Sequence, residues 1–315
     1  NANREVEQLN AARAIKQYLK QGKLFLDPDS NVLRIKNKTH GPYCIPLDQR
    51  KVMIRSVHHS SGTFHLGIQR TSTVLKNYFY WPALDQDTRE WINQCDVCIK
   101  AKRLKSRSGP GLKKTSSVPL ERLAIWSTDV ISMPKGHGNA NYIVTFQDCS
   151  TGWIEAWSSS SAKAKVIAKL VLRMFNRYGD GLTFVTDQGR EFMAHEVKEV
   201  ITENGGAQYV TTSHHSNSNP VERAHRDLGA LIRLLVEDKN LQPQQWPLVL
   251  DEALRTMRFS PDSLTKQSAF LRTFGKKPLT RIDTWIGNGE TTCPWAPEEP
   301  EPMFQYTGID DGKQV

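Results

Sequence analysis

Phe184-Val185-Thr186-Asp187-Gln188-Gly189-Arg190-Glu191-Phe192 is a short β-prone run that ends on a carboxylate and breaks at a glycine turn. Phe, Val and Thr fit a pleated surface and Gln188-Gly189 stops it, which puts Asp187 at the carboxyl end of a strand. Trp126-Ser127-Thr128-Asp129-Val130-Ile131 is a second such run, with Asp129 inside it. A third acid stands in Asn219-Pro220-Val221-Glu222-Arg223, where Asn219 suits an N-cap and Pro220 the first helical position. An acid within an apolar strand is costly unless it is paired or binds a cation. Three converging carboxylates suit two Mg2+ or Mn2+ ions about 4 Å apart, the arrangement that supports in-line phosphoryl transfer. Carboxylate oxygens also match such hard ions better than imidazole or thiolate. Taken singly, Asp187 reads equally well as a turn residue and Glu222 as a first-turn acid at a helix dipole.

Working outward, strand-like runs occupy 124–132, 142–148, 153–158, 183–187 and 207–211. A helix is predicted over 163–178, with Val166, Ile167, Leu170, Val171, Met174 and Phe175 on one stripe, and further helices over 194–204, 220–238 and 244–258. Three strands in a row, then alternating helix and strand, imply a mixed sheet flanked by helices across residues 120–277. Trp126, Trp153, Trp157 and Trp246 read as core aromatics, and His195, His214 and His225 as ordinary polar residues.

Upstream, residues 53–100 read as a helical module. The pattern Val74, Leu75, Tyr78 predicts a helix that stops near Trp81-Pro82, and a second runs from Asp85 towards Cys95. Cys95-Asp96-Val97-Cys98 spaces two thiolates to meet one tetrahedral ion, and His58, His59 and His65 lie before it. Two imidazoles and two thiolates would close the coordination of a structural zinc. His65 is one ligand; His58 and His59 compete for the other. The bland alternative is three surface histidines beside a reduced cysteine pair, which leaves so small a module without a visible means of stabilisation.

Residues 1–52 are expected to form an N-terminal extension, with a helix near 5–21 and strands at 23–26 and 31–36. Residues 101–119 are expected to be an extended basic linker, and 278–315 an acidic, proline-rich, disordered tail. The 315 residues carry a net charge of +9, which favours a polyanionic partner. No apolar run approaches the roughly 20 residues that cross a bilayer, so no membrane partner is expected. The five cysteines, odd in number and sparse, argue against a disulfide framework and for a reducing compartment. The sequence begins at Asn1, which suits a fragment or a piece of a longer polyprotein.

Several of these words occur together and in order: His65-Leu66-Gly67 and Tyr80-Trp81-Pro82 within the span from His58 to Cys98, Thr128-Asp129, Val185 to Phe192, and His215 to Arg223. Over about residues 55–280 the chain resembles the integrases of retroviruses and gypsy-type retrotransposons, members of the DDE recombinase superfamily with an RNase H-like core. That resemblance implies a small helical HHCC zinc domain followed by an α/β core with a mixed five-stranded sheet. It implies catalytic metal ligands at Asp129, Asp187 and Glu222, and a structural zinc at His58, His65, Cys95 and Cys98. The implied activity is trimming of the 3′ ends of retroelement DNA and their joining to target DNA. Phe64 stands where the family usually has glycine, and His215-Ser216-Asn217 where it usually has His-Pro-Gln. The family's SH3-like C-terminal DNA-binding domain is not recognisable in the acidic tail; either it is lost or the sequence stops short of it.

In relatives the helix after Glu222 carries cations that meet DNA ends, which nominates Arg226, with Arg223 and Arg233 beside it. The linker cations Lys100, Lys102, Arg103 and Lys105 are candidates for phosphate contact. His215 is assigned a supporting role beside the site. Joining two ends to one target implies a homo-oligomer, a tetramer or larger. The expected location is the host nucleus, after a virus-like particle or the cytoplasm, with a chromatin or host-factor tether as a possible partner. The alternatives are a domesticated or inactive descendant that only binds DNA, and an RNase H-like nuclease that only hydrolyses; the zinc module argues against the latter.

Overall fold

The computed structural model describes residues 20–26, 33–35, 43–59, 65–102, 121–211, 220–262 and 265–280, with the helical residues Arg13, Lys16 and Gln17. Its larger sheet begins as an antiparallel meander of β5 (Ile125–Ser132), β6 (Tyr142–Asp148) and β7 (Ile154–Ser159). The chain then crosses through helix α5 (Ala164–Tyr178) to β8 (Thr183–Thr186), which pairs parallel with β5. Helices α6 (Arg190–Met193) and α7 (His195–Glu203) lead to β9 (Ala207–Val210), parallel to β8. The order β7-β6-β5-β8-β9 is the mixed five-stranded arrangement of an RNase H-like core, as the sequence predicts.

Both faces of this sheet are covered, and β6 shows the alternation: Ile143 and Val144 are consecutive yet sit in different apolar clusters. On one face, Val144, Phe146, Trp126 and Phe184 meet the buried stripe Ile167, Leu170, Val171, Met174 and Phe175 of α5. Each such side chain contributes about 1.5–3 kcal/mol on burial. On the other face, Ile143 and Ile154 meet α8 (Pro220–Asp238), α9 (Leu250–Phe259) and Trp246. The single helix expected over 244–258 is a 3-10 stretch, Pro243–Val249, followed by α9, because Pro247 supplies no backbone N–H. A last short helix, α10 (Ala269–Phe274), follows. Trp126, Trp153 and Trp246 are buried and Trp157 is half-buried against the first cluster, so all four are core aromatics.

Close approach fixes one glycine. A Cβ on Gly206 would lie 2.6 Å from the Leu182 carbonyl oxygen and 2.8 Å from the Phe175 ring. Gly206→Ala is therefore expected to cost about 1–3 kcal/mol through overpacking. A drop in melting temperature of several degrees in a thermal denaturation scan is the expected readout; an unchanged midpoint would contradict the packing described.

The upstream part has helices α1 (Arg50–His58), α2 (Ile68–Tyr78), α3 (Leu84–Asn93) and α4 (Asp96–Lys102). A small sheet joins β1 (Leu24–Leu26), β2 (Leu33–Ile35), β3 (Tyr43–Cys44) and β4 (Phe79–Tyr80), with β3 and β4 parallel. The division placed between residues 52 and 53 falls inside α1. Tyr43 and Ile45 share an apolar cluster with Ile54, Val57, Leu75 and Trp81, so these residues pack with the helices that follow. Two-residue strands carry no periodicity that would announce this. Ala101 and Lys102 continue α4 into the segment expected to be extended. The rest of that linker, most of the expected N-terminal helix and the tail from 281 lie outside the described residues. No helix among the described residues is long and apolar enough to cross a membrane.

Candidate functional site

Two groups of side chains stand out, one in each half. In the upstream half, α1 buries Ile54, Val57 and His58, so His58 continues the helix's apolar stripe at i+4 from Ile54. Beyond α1, His65 adopts a left-handed backbone (φ 46°) and its N–H donates to the His58 carbonyl at 2.7 Å. Cys95 immediately precedes α4 and Cys98 lies within its first turn, so both thiols face the histidines.

His65 Nδ1 is 3.0 Å from His58 Nε2, and Cys98 Sγ is 3.3 Å from His58 Nε2 and 3.4 Å from His65 Nδ1; Cys95 Sγ is 3.6 Å from His65 Nδ1. Zn–N bonds of about 2.0–2.1 Å and Zn–S bonds of about 2.3 Å make the edges of a tetrahedron roughly 3.3–3.8 Å. All four residues are buried, and their donor atoms lie within 4.8 Å of one another. The set fits a closed four-coordinate zinc site. Of the two histidines the sequence left open, the geometry gathers His58. His59 turns towards Asp238, its Nδ1 3.8 Å from Oδ1, and burial and then the neighbouring His65 push its pKa down to about 4.

In the core, the register of β5 and β8 relates the aspartates. Ser127 pairs with Val185, and Asp129 and Asp187 each stand two residues further along these adjacent parallel strands. They therefore occupy the same offset on neighbouring strands, Asp129 within β5 and Asp187 just past the end of β8. Asp187 is exposed, and its Oδ1 accepts from Gly189 N–H at 2.9 Å. A Cβ at Gly189 would lie 2.9 Å from that oxygen, so a larger residue there would push the Asp187 carboxylate from this position. Asp129 accepts from Val130 N–H at 2.7 Å through Oδ1, and its Oδ2 lies 3.5 Å from His225 Nδ1.

His225 sits on α8, and its Nε2 is 2.7 Å from Thr145 Oγ1 on β6. Burial lowers its pKa to about 4, so it is a neutral imidazole at pH 7. It fixes the start of α8 against β5 and β6. Sequence reasoning passed over it, although its position three residues after Glu222, on the same helical face, was a usable signal. Glu222 lies in the first turn of α8 beside this contact; its side chain is outside the described residues, as is that of Arg223.

The environment of Asp187 differs from that of the core's structural acids. Glu155 is buried and ion-paired with Arg177 at 3.2 Å and Arg258 at 2.9 Å. Buried Asp148 accepts from Thr151 N–H and Oγ1 and from Leu123 N–H. Among the described residues no cation pairs with Asp187. Two carboxylates at the same offset on neighbouring strands, one partly and one largely open to solvent, fit hard divalent ions.

The remaining candidates divide. Arg226 and Arg233 are exposed on α8. Lys100 is in an ion pair with Glu237 at 2.5 Å, which raises its pKa, so its charge is already partnered within the chain. Lys102 is on α4, with its side chain outside the described residues; Arg103, Lys105 and His215 lie outside them altogether.

Residues 45–104 match the integrase zinc binding domain and residues 120–216 the integrase core domain. A zinc-binding domain followed by an integrase core domain is the arrangement these two matches define, and the chain carries both in that order. It is similar to Gypsy retrotransposon integrase-like protein 1 of Rattus norvegicus, 23% identical over 79% of this chain and 47% of that protein. It is also similar to the Gag-Pol polyprotein of feline leukemia virus, 26% identical over 70% of this chain and 13% of the polyprotein. A third relative, the Pol polyprotein from Drosophila transposon 412, is 27% identical over 58% of this chain and 15% of that protein. The chain thus spans about half the length of the mammalian relative. Among solved structures, the catalytic core domain of BIV integrase aligns with 48% of this chain and 93% of its own, at TM-score 0.40 and 20% identity. Strand order, not that alignment, carries the fold assignment.

Proposed function

We propose that this chain is a DNA integrase that trims the 3′ ends of retroelement DNA and joins them to target DNA. The supporting observation is the common offset of Asp129, within β5, and Asp187, just past β8, with the first turn of α8, which bears Glu222, held beside Asp129 by His225. In this reading the three acids hold two Mg2+ or Mn2+ ions, which when bound stabilise negative charge on the attacking and leaving oxygens. Arg226 and Arg233 meet phosphates from the exposed face of α8, and the basic segment around Lys102, Arg103 and Lys105 adds sequence-independent contacts. His58, His65, Cys95 and Cys98 hold one structural zinc. The assembly is a homo-oligomer that presents two active sites to one target, and it works in the host nucleus.

The test is a strand-transfer assay on short duplexes bearing candidate terminal sequences, with Mg2+ or Mn2+. Joined products that vanish in Glu222→Gln support the reading. Cleavage without joining indicates a nuclease. DNA binding without either reaction indicates a host-retained descendant, a second reading favoured by the relatives named integrase-like in rat and human and by the altered His215-Ser216-Asn217 word.

A further inference from the structure

Asp238 is the last residue of α8, the helix whose first turn carries Glu222. Its Oδ1 lies 3.1 Å from His65 Nε2, across 173 positions of sequence. The two ring nitrogens of His65 are thus divided: Nδ1 faces His58, Cys95 and Cys98, while Nε2 faces Asp238. The His65 side chain is 0% exposed and that of Asp238 23%, so this contact is shielded more than a surface ion pair. We propose that Asp238 is a positioning residue for the zinc site. Its Oδ1 accepts a hydrogen bond from Nε2–H, which fixes the tautomer and holds the Nδ1 lone pair towards the metal. This inference rests on the zinc reading above.

A carboxylate that orients a metal-binding imidazole is a recurring second layer of metal sites. Here it comes from the catalytic core rather than from the module that owns the ligands. The neighbouring contacts have the same polarity. Lys100, two residues after Cys98 on α4, pairs with Glu237 at 2.5 Å, and Arg70 on α2 lies 3.8 Å from Asp227. Acids along α8 therefore grip the helix of the thiolates, the histidine ligand and α2. The 19 residues of α8 make one rod about 28 Å long. Its C-terminal end is seated by the zinc site and its N-terminal end presents Glu222. Metal loading and the seating of α8 become one linked equilibrium: zinc favours the docked helix, and the docked helix favours zinc.

The experiment uses the full chain in four forms: wild type, Asp238→Ala, Asp238→Asn and Glu237→Gln. Zinc affinity is measured by competition with a chromogenic chelator, Co2+ absorption reports ligand geometry, and amide exchange follows α8. Asp238→Ala is expected to weaken zinc binding about 10–100-fold. Asp238→Asn, whose amide oxygen still accepts, should fall between, and it serves as the assay variant if the alanine form fails to fold. Glu237→Gln, which loses an ion pair at the same interface but no contact with His65, should stay near wild type. Removing zinc from the wild type should speed exchange along α8.

Unchanged affinity in Asp238→Ala, with one zinc still bound, overturns the role of Asp238 and leaves the zinc reading standing. Equal weakening by Glu237→Gln reduces the effect to docking and also overturns it. Two zincs per chain would assign Asp238, with His59, to a second ion instead. Absence of zinc from the wild type defeats the metal reading and this inference with it.

Discussion

Asp187→Asn and Glu222→Gln are each expected to lower strand joining by at least about 10³-fold while leaving DNA binding within a few-fold of wild type. Both substitutions keep the side-chain shape and remove one negative charge. A metal that neutralises charge in a phosphoryl-transfer transition state contributes several kcal/mol, and each 1.36 kcal/mol is a factor of ten in rate. Losing about 4 kcal/mol at one ligand therefore accounts for the 10³-fold drop. Binding responds differently, because an acid that faces a phosphate backbone repels it; removing the acid leaves affinity unchanged or slightly higher. The double variant should be little worse than either single one, since ligands that act as a unit are not additive. Assays of joined product and of duplex binding, run in parallel, check both halves. If Asp187→Asn kept more than a tenth of wild-type joining, the cluster would not be the catalytic centre, and the exposure of Asp187 would then mark only a turn.

The parts of this architecture written in local periodicity were legible in advance. The stripe from Ile167 to Phe175 announces α5, and the apolar run ending at Asp187 announces β8, because each pattern has the period of its own element. Asn219-Pro220 likewise marks the start of α8 within a residue. The choice between His58 and His59 stayed open in the sequence and is decided by the buried face of α1: Ile54 and Val57 define it, and His58 continues it while His59 steps off by 100°. What stayed hidden depends on distant partners. The pairing of Tyr43 with Phe79 involves strands of two residues, too short to carry alternation. Lys100 looked like one more linker cation because its partner, Glu237, lies 137 positions away. His225 looked ordinary because its neighbours, Thr145 and Asp129, come from two other strands. Charge and burial are properties of the folded neighbourhood, and sequence alone lists the charges without their neighbours.

Stripping zinc, or replacing Cys98 with Ser, is expected to unfold the upstream module while the core stays folded. The apolar cluster around Ile54, Val57, Leu75 and Trp81 is small, and its helices are only 7 to 11 residues long, below the length at which isolated helices hold in water. Binding of structural zinc supplies about 10–16 kcal/mol in comparable small peptides, a large share of what holds so small a module against its chain entropy. The core draws its stability from two clusters on opposite faces of the five-stranded sheet and contains none of the four ligands. Amide exchange should thus lose protection across residues 50–102 after chelation and keep it across β5, β6 and α5. Metal analysis of the untreated protein should give about one zinc per chain. The measurement needs no DNA and no catalysis, so it judges the structural metal independently of the carboxylate centre, even though a chelator also removes divalent ions from the latter. Equal protection of the upstream helices with and without metal would mean that packing alone holds them, and the four buried donors would then be left without the role that their tetrahedral spacing fits.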